Sequence, residues 1–274
     1  MENEISFGNK LLSFRHTSTI NPNPRDAAFK SHSHGTVEVF CFICGNAKYA
    51  IEGNIYSLRR GSVLIMASGQ THNLLLEPCS KYERTVLQVD PAALPVRSGS
   101  IVRYISSGQN YFELSEPQQV WLEESFNFIS ASENRIDLLG YFMPLFFAML
   151  STSIRSDRHI QDEVVAKTIG FINENLSTRL NLETVAESVY FIQAFINRKF
   201  REIMGCSVWN YVIRRRIFTA RERIFSGIDI TTAFEESGFL DYSSFFRAYK
   251  KTVGLSPRDD LKNHKGIKKS DRLN

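Results

Sequence analysis

The chain has 274 residues, of which 43% are apolar and 23% are charged, as in ordinary soluble proteins with two domains. Its most apolar stretch, residues 141–150, is too short for a membrane span and contains Pro144, so the composition excludes an integral membrane protein. The acidic start, Met1–Glu4, has no apolar segment behind it, which predicts no secretory signal and a cytoplasmic protein. Four cysteines in a chain this long do not indicate a disulfide framework.

The net charge of +4 is unevenly distributed along the chain. Residues 1–155 contain 13 lysines and arginines against 14 aspartates and glutamates, whereas residues 156–274 contain 20 against 15. A basic half beside a nearly neutral half favours one domain for a polyanion and one for a different ligand.

Residues 1–110 have the pattern of a small β-sandwich or barrel. Short apolar runs, such as Val37–Ile43 and Ser62–Met66, alternate with turns at glycine. Cys41 and Cys44 lie three apart in one of these runs. Residues three apart on a strand point to opposite faces, so this pair predicts buried thiols and no shared metal ion.

Three histidines and a glutamate in the same region have a spacing typical of a binding site. His32, His34 and Glu38 have like parity, so on a strand all three face one side, and a turn of the barrel could bring His72 to them. Their spacing resembles the first and second cupin motifs, with Ala67 where proline is usual in the second. Three interpretations stay open: a divalent-metal site, a pocket for a polar ligand, and a set without function.

From about residue 116 the apolar period becomes helical. Residues 116–152 predict a helical pair, in which Pro144 can introduce a bend and which either forms a homodimer interface or only closes the barrel. The polar stretch 151–162 is interpreted as the linker between domains, and residues 262–274 as a frayed end.

Residues 182–257 contain one module twice, at an offset of 48 and then 49 residues. Each copy has a short helix, a tight turn and an arginine-bearing second helix, which is typical of a helix-turn-helix motif. The second helices are predicted at residues 193–204 and 242–253, and residues 208–225 predict a rigid helix between the copies. Two motifs on one chain predict contact with two adjacent major grooves of double-stranded DNA. Of the consecutive Arg214, Arg215 and Arg216, at least one is expected to be structural.

The outward faces of the two second helices supply the expected DNA contacts. Arginine and asparagine there can make bidentate contacts to base edges, and basic side chains near the helix ends suit phosphates. In the first copy these residues are Gln193, Ala194, Asn197, Arg198 and Arg201; in the second they are Tyr242, Ser243, Phe246, Arg247 and Lys250.

Residues 160–262 resemble the DNA-binding domain of AraC-type transcriptional regulators. The resemblance is carried by F-I-x-R-x-F-R-x-x-x-G-x-S, by Y-V-x-x-R-R-I-x-x-A-R, and by G-F-x-D-x-S-x-F-x-R-x-Y-K-K-x-x-G-x-S-P. Three positions depart from the pattern: Ile192 replaces a usual serine, Phe234 a usual alanine, and Asp260-Leu261 a frequent aromatic-arginine pair.

The resemblance implies an α+β multidomain protein. It implies that a cupin-like barrel with a helical pair at residues 1–155 senses a ligand and dimerises, and that an all-α domain with two helix-turn-helix motifs at 160–262 binds DNA. It implies a non-enzymatic regulator under the control of a small polar effector, with a carbohydrate as one option and RNA polymerase as a further partner. The alternatives are a cupin metalloenzyme fused to a DNA-binding domain, with a divalent metal as cofactor, and a ligand-independent regulator.

Overall fold

The computed structural model describes residues 2–24, 26, 30–90, 110–155 and 159–270, and shows a β-sheet domain followed by a helical domain. Both sheets are antiparallel throughout. The strands are β1 (Glu2–Gly8), β2 (Leu12–Ile20), β3 (Val37–Cys44), β4 (Ala47–Ile51), β5 (Asn54–Ser57), β6 (Ser62–Met66), β7 (His72–Leu76), β8 (Lys81–Val89), β9 (Tyr111–Glu113), β10 (Ile154–Arg155) and β11 (His159–Gln161).

The strands form two sheets that enclose the first core. The seven-stranded sheet has the order β1-β2-β8-β3-β6-β9-β10, and the four-stranded sheet has the order β11-β5-β4-β7. Phe40 and Phe42 of the larger sheet pack with Tyr49 and Ile51 of the smaller sheet in this core. Their neighbours Val39 and Cys41 point to the other side of the larger sheet, into a second core. A strand buried on both faces explains why β3 is apolar almost without interruption.

Two helices, α1 (Glu116–Ala131) and α2 (Arg135–Thr152), cover the outer face of the larger sheet. Phe126, Phe142 and Phe146 fill this second core beside Phe14 of β2. Helix α2 continues through Pro144 for its full 18 residues. Within the described part of the chain, no helix is both long and apolar enough to cross a bilayer.

The stretch 151–162, interpreted from the sequence as a plain linker, is built into both sheets. Strand β10 pairs with β9 in the larger sheet, and β11 pairs with β5 in the smaller one. The interpretation was incomplete because a two- or three-residue strand has no periodicity of its own and forms only where an edge is available. Residues 156–158 lie outside the described residues.

The helical domain follows the predicted pattern closely. Its helices are α3 (Glu163–Glu174), α4 (Leu182–Ser188), α5 (Gln193–Met204), α6 (Val208–Phe225), α7 (Ile230–Glu236), α8 (Tyr242–Val253) and α9 (Pro257–Ser270). Asn181 caps α4 by accepting from the backbone N–H of Thr184, and Asp229 caps α7 by accepting from Thr232. Ile192 at the start of α5 makes no side-chain cap.

Helix α9 extends to Ser270, so residues 262–270 are helical where the sequence predicted a frayed end. Asp260 anchors this helix, because its carboxylate accepts from Arg221 of α6 at 2.7 Å and from the hydroxyl of Tyr249 of α8 at 2.8 Å. His264 stacks on Phe225 one turn further on. These contacts are made by polar or aromatic side chains, which a search for apolar periodicity overlooks. Residues 271–274 lie outside the described residues.

The two domains share a third core. Ala50 of β4 is buried with residues of α3, α5 and α6, and Ile55 and Leu75 pack against the same cluster. The outer face of the smaller sheet is therefore covered by the first helix-turn-helix unit. The second unit has a separate core around Phe245 and Tyr249.

Candidate ligand site and DNA interface

Four side chains converge between the two sheets. One potential ligand atom from each of His32, His34, Glu38 and His72 lies within 4.8 Å of the others. Nε2 of His34 is 2.9 Å from Oε2 of Glu38, and Nε2 of His72 is 3.1 Å from Nε2 of His32. Glu38 and His72 are buried, while His32 is exposed.

The route by which these residues meet differs from the prediction. Strand β3 begins only at Val37, so His32 and His34 do not lie on the same strand as Glu38. They belong to the segment before it, which His32 ties to β7 through two backbone hydrogen bonds with His72, of 3.1 and 3.0 Å. The parity argument was therefore wrong for the two histidines, although the residues do come together.

Burial and charge set the protonation of the cluster. Burial alone would raise the pKa of Glu38, but the hydrogen bond with His34 and the charges of the histidines hold that pKa well below its ordinary value. Burial lowers the pKa of His72 to about 3, against the opposing influence of Glu38. At neutral pH the cluster therefore holds a carboxylate beside a neutral buried imidazole.

A cavity of about 400 Å³ opens beside the cluster, with His32 and Glu38 in its wall. Its other walls combine aromatic and polar groups, among them Phe40, Tyr49, Arg84 and Gln88. The hydroxyl of Tyr49 and the amide of Gln88 each lie 3.4 Å from a carboxylate oxygen of Glu38. Convergent polar groups in a partly aromatic cavity are typical of a small-molecule site.

Sequence reasoning missed Arg84 and Gln88. Both lie on β8 at the same parity as Tyr82 and Val86, which also face the space between the sheets. Two polar residues at the inward positions of a strand are the feature that could have identified them. The sequence alone does not decide which side of β8 faces inward, because the outward positions, which run from Lys81 to Val89, also mix polar and apolar residues.

The predicted DNA-contacting residues lie on α5 and α8, and nearly all of them are exposed. Arg198 and Arg247 occupy equivalent positions on the two helices, and both side chains are open to solvent. Asn197 is the exception, since it is only half exposed and its side-chain oxygen accepts from the backbone N–H of Val208 at 3.3 Å. The other exposed members are Gln193, Ala194, Arg201, Tyr242, Ser243, Phe246 and Lys250.

The arginines of α6 have structural partners, as expected for at least one of them. Arg216 is buried and donates to the carbonyl oxygens of Leu176 at 3.0 Å and Thr178 at 2.8 Å. Arg214 instead reaches the β-sheet domain, where it donates to Oγ and to the carbonyl oxygen of Ser31, both at 3.3 Å.

The ligand cluster and the domain interface are formed by adjacent residues. Ser31 precedes His32, and Asn73 follows His72. The buried amide of Asn73 donates to the carbonyl oxygen of Ile203 in α5 at 3.1 Å. Gly205, in a left-handed conformation at the end of α5, lies so close that a Cβ there would be 2.8 Å from Cβ of Ser31.

Comparison with known proteins assigns a domain family to a segment in each half of the chain. Residues 18–96 match the AraC-like ligand binding domain, and residues 175–263 match a helix-turn-helix domain family. The melibiose operon regulatory protein of Escherichia coli is 24% identical over 253 residues, which cover 83% of this chain and 82% of that protein. The HTH-type transcriptional activator AarP of Providencia stuartii is 28% identical over 107 residues, or 38% of this chain and 77% of AarP. The structure of ToxT from Vibrio cholerae is 14% identical, with 92% of this chain and 98% of that chain covered at a TM-score of 0.38.

The protein therefore joins a ligand-binding β-sheet domain to a double helix-turn-helix domain. The first domain holds the cluster of three histidines and a glutamate, and the second presents the exposed faces of α5 and α8. The chain belongs to the AraC-type transcriptional regulators, and it regulates transcription under the control of a ligand.

Proposed function

We propose that a small polar effector in the 400 Å³ cavity changes how the first helix-turn-helix unit is held against the barrel, and so changes operator binding. The observation that carries this proposal is that residues of the ligand cluster and residues of the domain interface are direct neighbours in the sequence: His32 follows Ser31, and His72 precedes Asn73. An effector that displaces either histidine also displaces the neighbouring residue, which contacts α5 or α6. A ligand shifts such an equilibrium only through its different affinity for the two states.

A carbohydrate is the effector class that the cavity favours. Glu38 accepts hydrogen bonds, Arg84 and Gln88 donate them, and the rings of Phe40 and Tyr49 offer apolar faces for a sugar. The relative named for the melibiose operon supports the same class. The proposal includes binding without turnover, since the family consists of regulators.

The effector class is tested by thermal unfolding of the full chain with a panel of mono- and disaccharides that includes melibiose. A compound that binds only the folded state at 100 times its Kd stabilises it by about 2.7 kcal/mol, which raises the melting temperature. A panel without any stabilising sugar, beside a stabilising compound of another class, would contradict the carbohydrate assignment. Product formation from a stabilising compound would instead favour a metalloenzyme.

Asn73→Ala is expected to weaken communication between the domains. It removes the bond to Ile203 while leaving the cluster residues in place, so the effector-dependent change in operator affinity should fall about 2- to 10-fold, as expected for one hydrogen bond. The measurement is operator affinity with and without saturating effector. Asn127→Ala, on the exposed side of α1, is the matched control. An unchanged response in Asn73→Ala would show that coupling takes another route.

We further propose that the chain forms a homodimer through α2. Tyr141 and Leu145 are 78% and 63% exposed, and they share one face of the helix with Gly140, Pro144 and Ala148. An apolar stripe of this kind fits the same stripe on a second copy. RNA polymerase is proposed as a further partner, with support from the relative named as an activator.

Leu145→Glu is expected to weaken the dimer at least about tenfold, because a carboxylate would be buried in an apolar contact. Sedimentation velocity of the full chain over a range of concentrations measures this change, and Leu145→Met is the matched control that keeps the face apolar. A purely monomeric wild-type chain at tens of micromolar would refute the interface.

A further inference from the structure

The turn of the first helix-turn-helix motif has a large side chain at a position that favours glycine. Helix α4 ends with two backbone hydrogen bonds of the Schellman type. The N–H of Phe191 donates to the carbonyl oxygen of Ala186 at 3.1 Å, and that of Tyr190 donates to Glu187 at 3.2 Å. Tyr190 has a left-handed φ of 61°, whereas the equivalent residue of the second motif is Gly238, with a φ of 85°. Glycine is usual there because a Cβ atom makes this conformation costly.

The next helix begins with a second locally unfavourable residue. Ile192 stands at the N-cap of α5 and makes no side-chain cap. Its equivalent in the second motif, Asp241, caps α8 by accepting from the backbone N–H of Ser244 at 2.7 Å. At two positions of one turn, the first motif therefore has a large apolar residue where the second has a residue that stabilises the turn. Locally unfavourable residues are typical of surfaces that serve a function.

The side chains at these positions lie on the surface. Tyr190 is 93% exposed and Ile192 is 73% exposed, and Phe191 between them is 42% exposed. They line an open groove of about 580 Å³ between the end of α4 and the start of α5. Phe191 stacks on Phe195 with ring centres 5.2 Å apart, which fixes the turn against α5. A contiguous apolar patch of this kind marks a site of contact with another molecule.

The charge at the edge of the groove indicates what that molecule is. Glu183 and Glu187 of α4 also line the groove, and both are exposed. No ion pair within the described part of the chain involves either carboxylate. Two carboxylates repel the phosphates of DNA, and they attract lysine and arginine side chains of a protein. A second copy of the same surface fits poorly, because it would bring like charges together.

We infer that this turn surface, formed by Glu183, Glu187 and residues 190–192, binds a protein segment in which lysine or arginine flanks an apolar side chain. Gln193 and Ala194, which we expect to contact DNA, follow the surface directly. A partner on the turn surface therefore stands beside the operator, as a promoter-bound protein does. We assign the segment to RNA polymerase. This assignment rests on the proposed function for the identity of the partner, and it adds the surface that the partner contacts.

Replacing Tyr190 with glycine and Ile192 with serine in one variant tests the inference. Both changes supply residues that the turn geometry favours, so the melting temperature should equal or exceed that of the wild type. Recruitment of RNA polymerase should nevertheless weaken about 5- to 30-fold, because the variant loses the apolar centre of the contact. Operator affinity should stay within about twofold, since no group that contacts phosphates or base edges is removed.

The measurement uses the full chain at saturation on a promoter fragment that carries the operator, titrated with purified RNA polymerase holoenzyme. Leu240→Ser is the matched control, because it removes a side chain that is 79% exposed from the turn of the second motif. Glu187→Gln removes one charge and leaves the turn residues in place. It should weaken recruitment and reduce the dependence of recruitment on salt.

Unchanged recruitment in both turn-surface variants overturns the inference, as does a wild-type chain that recruits no polymerase. Equal losses of operator binding and recruitment in the Tyr190/Ile192 variant would also overturn it, because they would show that the patch contacts DNA. If recruitment is unchanged while an effector still controls operator affinity, the surface is wrong and the proposed effector control stands. If recruitment is lost as expected and no effector changes operator affinity, the reverse holds.

Discussion

Arg198→Ala and Arg247→Ala should each weaken binding to the specific operator by about 1–3 kcal/mol, or roughly 5- to 150-fold, with little change in binding to unrelated DNA. Both side chains are exposed at equivalent positions of α5 and α8. A bidentate contact from arginine to a guanine edge discriminates between bases, whereas a phosphate contact does not.

The surroundings of the two arginines favour contact with DNA over a structural role. The guanidinium of Arg198 lies 5.5 Å from the ring centre of Phe195, and Arg247 donates to the hydroxyl of Ser244 at 3.3 Å. Both contacts are local and hold the side chain near the surface. Arg216, by comparison, is buried and bound to two carbonyl oxygens.

Titration of the full chain with operator and with unrelated DNA at one salt concentration makes the measurement. The full chain is needed because α5 and α6 share a core with the barrel. Arg60→Ala serves as the control. Arg60 is exposed and pairs with Glu123, and both residues lie in the β-sheet domain. Equal losses for both kinds of DNA would show that Arg198 and Arg247 contact phosphates or are structural.

Local features of the sequence predicted the helical domain almost to the residue. Helices α5, α6 and α8 begin and end where the apolar period and the glycines at 205 and 254 indicate. Each of these features acts within one or two turns of helix, so it can be recognised without knowledge of the rest of the fold. The ranges 1–155 and 160–262 for the two domains remain predictions.

The junction between the domains could not be predicted in the same way. Ser31, Glu52 and Asn73 are ordinary polar residues in the sequence, and they gain their role from partners more than 100 positions away. Glu52, for example, accepts from the hydroxyl of Tyr211 in α6 and from the backbone N–H of Thr71. Such contacts depend on how the surfaces of the two folded domains pack against each other. The cluster is an intermediate case, because its residues were identified while the strand expected to present them was not.

Replacing His34 and His72 together with alanine should abolish the transcriptional response to the effector and leave basal operator binding within about twofold. The two rings form one side of the cluster, with Nε2 atoms 2.9 and 3.9 Å from Glu38, so their loss removes the groups that hold this carboxylate. The faces of α5 and α8 that we expect to contact DNA lie on other elements, and their contacts do not involve either histidine.

The response is measured with a reporter under the operator, using the compound that stabilises the protein in thermal unfolding. His16→Ala combined with His159→Ala is the matched control, because it removes two histidines outside the cluster. Melting of each double variant without effector separates loss of the site from loss of the fold. A His34/His72 variant that still responds like the wild type would place the effector elsewhere, and the cluster would then have no part in regulation. A variant that binds the operator but no longer responds to the effector would establish that the effector acts through these two rings, because the interface residues Ser31 and Asn73 are unchanged.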